Sequence, residues 1–167
     1  MNEIIGEGIV IIDDGYSRHC CKCIKVVSKN SSKNITLQKT TMKTIIHTTN
    51  APAPIGPYSQ AVKAGNMLFV SGQIAIVPAT GELDLSSIEN ETHQVMKNIG
   101  AVLTEAGADY SDIVKTGIFL KDMNQFAAVN EVYGSYFSSD FPARETVQVS
   151  RLPKDVNVEI SVVVLLK

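Results

Sequence analysis

In this 167-residue chain the side chains best suited to chemistry are polar groups set inside apolar stretches. Arg144, Thr146 and Gln148 fall two apart within Ala143–Leu152, so a strand there puts all three on one face. Glu159 lies between Val158 and Ile160 in another apolar run. If these consecutive strands pair across the turn at Pro153-Lys154-Asp155, the Arg144 guanidinium and the Glu159 carboxylate approach one another. The pair is then either a structural ion pair on an exposed sheet face or a functional site. Asn130 is four residues after Phe126 and three before Tyr133, so it borders the buried stripe of a helix; it either bonds a loop carbonyl or serves a ligand. Gly72, following Ser71 in an apolar run, marks a bulge or a close approach of backbone to ligand. Tyr58, just after Gly56-Pro57, is an aromatic plug if it has no other task.

Other chemistries find little support. All three cysteines lie in His19-Cys20-Cys21-Lys22-Cys23, which excludes cysteine catalysis from the rest of the chain. Thiolates bind copper(I) or zinc, but a structural zinc site needs two separated ligand pairs and no second pair exists. His47 and His93 are isolated, so no metal site is expected. Neither G-x-x-x-x-G-K-S/T nor G-x-G-x-x-G occurs, which leaves phosphate and dinucleotide cofactors without a cradle. With 15 basic and 17 acidic residues the formal net charge is −2, unlike a dedicated nucleic-acid binder. No apolar run approaches the roughly 18 residues of a membrane span.

The charge is unevenly spread. Residues 1–42 carry six Lys/Arg and four Asp/Glu, and residues 43–167 carry nine and thirteen. The front segment ends in a Ser/Thr/Asn/Lys-rich stretch and reads as a flexible N-terminal extension. It lacks the basic start and long apolar core of a signal peptide, and its early acids suit a transit peptide poorly. The working domain is expected over 43–167, in the cytoplasm, or in an organelle if 1–42 is a targeting leader.

Within that domain the elements follow from periodicity. Strands are expected at Thr44–His47, Tyr58–Ala64 and Met67–Ile76, the last two joined by a tight Gly65-Asn66 hairpin. Ser86 with Glu89 forms a capping box for a helix whose apolar stripe runs Ile88, Thr92, Val95, Ile99, Val102, Leu103, Ala106, closed by Gly107. Ile113–Leu120 is a strand rich in β-branched residues. Asp122 caps a second helix that buries Phe126, Val129, Tyr133, Tyr136 and Phe137. Strands at Ala143–Leu152 and Val156–Leu166 complete a β-β-β-α-β-α-β-β order, an α+β domain with one sheet and two helices. Val163 interrupts the alternation of the last strand, so another subunit could cover the second face of the sheet.

Several segments together resemble the RidA-type reactive intermediate deaminases, or YjgF family. They are APAPIGPYSQA at 51–61, FVSGQI at 69–74, PATGE at 78–82, the stretch 118–130, FPAR at 141–144, RLPK at 151–154 and VEI at 158–160. The resemblance runs in order through 43–167 and leaves out 1–42. It implies a chorismate-mutase-like fold in a homotrimer with ligand clefts between subunits. It also implies a 2-iminobutanoate/2-iminopropanoate deaminase, which hydrolyses enamines and imines such as 2-aminoacrylate to 2-keto acids and ammonia without a cofactor. By that resemblance Arg144 binds the substrate carboxylate and Glu159 holds or activates water. Tyr58, Ser71, Gly72, Asn130 and Thr146 line the pocket. A planar guanidinium suits a carboxylate that accepts two hydrogen bonds. Thr146, after Glu145, stands where many members carry cysteine after serine, which removes thiol redox chemistry there. The partners implied are small imino and enamino acids rather than nucleic acid or membrane. Two other classes remain: a non-catalytic carboxylate-binding trimer and an RNA-cleaving translation inhibitor.

Overall fold

The computed structural model describes residues 43–167; the cysteine cluster and the front extension lie outside the described residues. Strands β1 (Lys43–Ile46), β2 (Ala61–Ala64) and β3 (Met67–Gln73) form an antiparallel meander. Ala64 faces Met67 across the two-residue Gly65-Asn66 turn. Gly65 takes φ +62° there, the left-handed conformation that tight hairpins demand. Helix α1 (Ile88–Glu105), strand β4 (Ile113–Leu120), helix α2 (Phe126–Gly134), strand β5 (Ala143–Gln148) and strand β6 (Val158–Leu165) follow. The result is the expected α+β arrangement of one mixed sheet and two helices, with the elements in the expected order.

Each helix end has a local cause. The Ser87 side chain accepts from the Asn90 amide and caps α1, one residue later than the expected box at Ser86. Ser86 instead binds Asp84 and the Asn90 side chain. Gly107, at φ +74°, ends the helix as expected. Asp122 caps a short 3₁₀ turn at Met123–Gln125 that runs into α2. Phe126, expected to be buried, is 37% exposed, and Phe137 lies beyond the end of α2. His93 is satisfied by a 2.9 Å bond to the Tyr136 hydroxyl.

The six strands lie in the order β1-β2-β3-β6-β4-β5. On the helix side Val95, Met96, Ile99, Val102 and Leu103 of α1 pack with Leu68, Val70, Ile118, Leu120, Ile160, Val162 and Val164 of the sheet. Each such side chain, fully buried, contributes about 1.5–3 kcal/mol. The opposite face carries Phe69, 48% exposed, with Ile45, Val147 and Leu165 also exposed.

One expectation about pairing fails. Strands β5 and β6 do not pair: β4 lies between them, parallel to β5 and antiparallel to β6. Composition explains this. The Val158/Ile160/Val162/Val164 row of β6 needs neighbours on both sides and takes a central place. The polar sequence Arg144-Glu145-Thr146 stays at the edge, where charged side chains reach water. Among the described residues no helix is long and apolar enough to cross a membrane. Nor is any group of three or more His, Cys, Asp or Glu side chains placed to hold a metal ion.

Candidate functional site

Four of the expected site residues come together on the face of the sheet away from the helices. Tyr58, Ser71, Gly72 and Glu159 line one cleft of about 250 Å³ with Ile55, Ile74 and Pro153. The register shows why. Val70 faces Val162 and Gln73 faces Ile160, so β3 holds one extra residue at Ser71-Gly72, a bulge. The bulge reading of Gly72 thus holds, and the missing side chain is what admits the Glu159 carboxylate. A Cβ at Gly72 would overlap that carboxylate and stand 3.0 Å from Glu159 Cγ. Burial raises the Glu159 pKa above its ordinary value. We expect Gly72→Ala to displace the carboxylate and lower kcat about 10- to 100-fold. Steady-state rates beside an unchanged circular dichroism spectrum check this.

The walls of the cleft are held by buried amides. Gln60 is buried; its Oε1 accepts from the Thr48 amide at 2.7 Å. Its Nε2 donates to the carbonyls of Thr48, Ala51 and Pro52. This ties down the loop that leads to Ile55 and Tyr58. The Ser71 hydroxyl donates to the Ser59 carbonyl at 2.7 Å and so joins the same loop to the bulge. Asn98 of α1 donates to the carbonyls of Ile74 and Ile76 at 3.0 and 2.9 Å. Gln60→Ala leaves a buried amide and several carbonyls unpaired. We expect it to cost about 2–4 kcal/mol, read as a lower urea midpoint at constant slope.

The remaining residues gather on the other face of the sheet. Arg144, Thr146 and Gln148 do share a face, opposite Thr116, Ile118 and Leu120 of β4. Arg144 does not reach Glu159. Its Nη1 donates to Asn130 Oδ1 at 2.6 Å. Its guanidinium carbon lies 5.2 Å from the Tyr133 ring centre and 5.7 Å from that of Phe126. Two rings and one amide oxygen therefore immobilise the guanidinium, while its remaining donors face no carboxylate among the described residues. Glu145 points to the opposite face, as expected, and pairs with Lys115 at 3.0 Å. The Thr146 hydroxyl is buried without a hydrogen-bond partner. Neither Phe126 nor Tyr133 was expected at the site; their three- and four-residue spacing from Asn130 was the available signal.

Within one chain, then, the cation and the carboxylate sit on opposite faces, two strands apart. That is roughly 10 Å across the sheet. The arrangement puts a guanidinium with unused donors on one face and a carboxylate in a cleft on the other.

Residues 48–166 match the family model described as Endoribonuclease L-PSP. A RutC family protein of Pyrococcus horikoshii is 56% identical over 122 residues, 73% of this chain and 97% of that protein. The chloroplastic Reactive Intermediate Deaminase A of Arabidopsis thaliana is 47% identical over 124 residues, 74% of this chain and 66% of its own. Among solved structures, the YjgF gene product of E. coli matches with TM-score 0.71 at 45% identity, over 74% of this chain and 99% of its own. E. coli TdcF with bound serine matches with TM-score 0.72 at 41% identity, again over 74% and 99%.

Proposed function

This chain belongs to the Endoribonuclease L-PSP family, which includes the RidA-type YjgF proteins, and from that premise we propose that it is a hydrolytic deaminase of 2-imino and 2-enamino acids. The observation that carries the reading is the presence of both groups such a substrate needs. They are an immobilised guanidinium with donors to spare and a half-buried carboxylate seated in a cleft. The Reactive Intermediate Deaminase A of Arabidopsis thaliana lends the chemistry support. The serine bound to TdcF shows that a solved relative accepts a small amino acid.

The two half-sites lie on opposite faces, so the complete site takes Arg144, Asn130 and Thr146 from one copy. It takes Tyr58, Ser71, Gly72 and Glu159 from the next, in a closed homotrimer. The exposed apolar face with Phe69 gives the copies a surface to bury. Arg144 clamps the substrate carboxylate and fixes the imine carbon. An enamine first tautomerises to the imine. Glu159 takes a proton from water as the oxygen adds to that carbon. That proton passes to the imine nitrogen to give the neutral carbinolamine. On collapse the hydroxyl proton passes by way of Glu159 to the amino nitrogen, the C–N bond breaks, and ammonia leaves as the 2-keto acid forms. The reaction consumes one water and needs no cofactor. Residues 1–42 take no part; the working location is the cytoplasm, or an organelle if they form a leader.

The test is ammonia and 2-keto acid release from enzymatically generated 2-aminoacrylate. The expected result is acceleration over spontaneous decay. Carboxylate binding without acceleration would make the protein a metabolite binder. The family description names RNA cleavage, but residues 43–167 carry nine basic against thirteen acidic side chains, which favours a small anion over a polyanion. Salt-dependent RNA cleavage with no imine turnover would overturn the proposal.

A further inference from the structure

Helix α1 places one acid on its buried stripe. Glu91 is fully buried, one turn before Val95, and makes no ion pair among the described residues. Its carboxylate instead meets the entrance of β6. Oε1 accepts from the Asn157 amide at 2.7 Å and from the Val158 amide at 3.2 Å. Oε2 accepts from Asn157 Nδ2 at 2.7 Å. From the other side, the Asn157 carbonyl accepts from the Lys121 amide at 2.9 Å. The two amides that Glu91 holds therefore belong to the residues immediately before Glu159.

Covering the sheet needs only an apolar side chain at this position, and burying a carboxylate carries a desolvation cost that its hydrogen bonds must offset. What a carboxylate adds is direction: two backbone amides and one side-chain amide are fixed at once. The lever to the site is short, since Val158 adjoins Glu159 and a strand advances only about 3.3 Å per residue. At its far end the Glu159 carboxylate occupies the place that a Cβ at Gly72 would fill.

We propose that Glu91 is a positioning residue that sets the Glu159 carboxylate against Gly72 by locking the Asn157 and Val158 amides at the entrance of β6. This rests on the deaminase reading above. A shift of about 1 Å in a general base costs up to about 100-fold in rate. Carboxylate binding through Arg144 stays intact, because that half-site lies on the edge strand and α2.

Full-length Glu91→Ala, Glu91→Asp and Glu91→Gln are compared with wild type, at a temperature where denaturation curves show each folded. The expected result for Glu91→Ala is a kcat about 10- to 100-fold lower with KM changed less than about threefold. Glu91→Gln restores kcat: its Oε1 still accepts from both backbone amides, and the Asn157 side-chain amide turns to present its oxygen. Glu91→Asp keeps the charge but falls one methylene short, and it loses kcat like alanine. If Glu91→Ala fails to fold, the Asp and Gln pair carries the comparison. Wild-type kcat in folded Glu91→Asp, or a loss of kcat no larger than its unfolded fraction, overturns the proposal. A wild type without imine turnover removes the deaminase reading itself, and that is seen before any variant is compared.

Discussion

Arg144→Ala and Glu159→Gln are each expected to lower kcat/KM by about 100-fold or more, yet equimolar variants denatured and refolded together should recover about one quarter of wild-type activity. The single losses follow from the proposed roles. Arg144→Ala removes a charge-assisted pair worth roughly 3–4 kcal/mol at the substrate carboxylate. It leaves the other half-site untouched, so kcat/KM falls mainly through binding. Recovery follows from topology. Strand β4 separates β5 from β6, and the register sets Arg144 opposite Thr116 but Glu159 opposite Phe119. Adjacent residues of a strand point to opposite faces, so an odd offset of three puts the two side chains on different sides of the sheet. A site with both groups then takes Arg144 from the Glu159→Gln copy and Glu159 from the Arg144→Ala copy. Random closure of a ring leaves about one interface in four with both intact. Ammonia release from the mixture, measured against each variant refolded alone, checks this. No recovery would mean that one chain supplies the whole site.

How much of this was legible in the sequence depends on the reach of each signal. Alternation fixed the two faces of β6 and the shared face of Arg144, Thr146 and Gln148, because a strand's period is local and covalent. Which strands become neighbours is not local. Pairing β5 with β6 across Pro153-Lys154-Asp155 is the shortest connection, but the chain instead sends β6 into the centre, where its valine row is covered from both sides. Strand ends were overestimated for a related reason. Residues 74–76 are as apolar as a strand, but the Ile74 and Ile76 carbonyls answer to the Asn98 side chain, and before β2 the Ser59 carbonyl answers to the Ser71 hydroxyl. The bulge at Ser71-Gly72 was legible as a glycine inside a strand. Its purpose was not, because the carboxylate it admits comes from 87 residues later in the chain. Glu91 left the faintest trace, a single acid on an apolar stripe.

Glu159 should make the enzyme lose activity and gain stability as the pH falls, an unusual combination with a definite cause. Burial in the cleft holds its carboxyl above the ordinary carboxylate value of 4.5. A base must be ionised to accept a proton from water, so kcat/KM declines on the acid side through that raised value. Glu159→Gln removes this limb together with about 100- to 10,000-fold of the rate. Stability moves the other way. The folded state binds the proton more tightly than the unfolded chain does. Protonation of Glu159 therefore contributes stability that is fully present below the unfolded value and lost as pH rises through the folded one. Glutamine at 159 has no charge to desolvate and fills nearly the same space. Glu159→Gln should accordingly be more stable than wild type at pH 7, with the difference closing as the pH drops below 4.5. Urea denaturation of both proteins at pH 7 and pH 4, beside their pH–rate profiles, measures the two effects together. Equal stability at both pH values would mean that the folded protein does not hold the carboxylate away from water, and with that the reason for a raised base in this cleft would be gone.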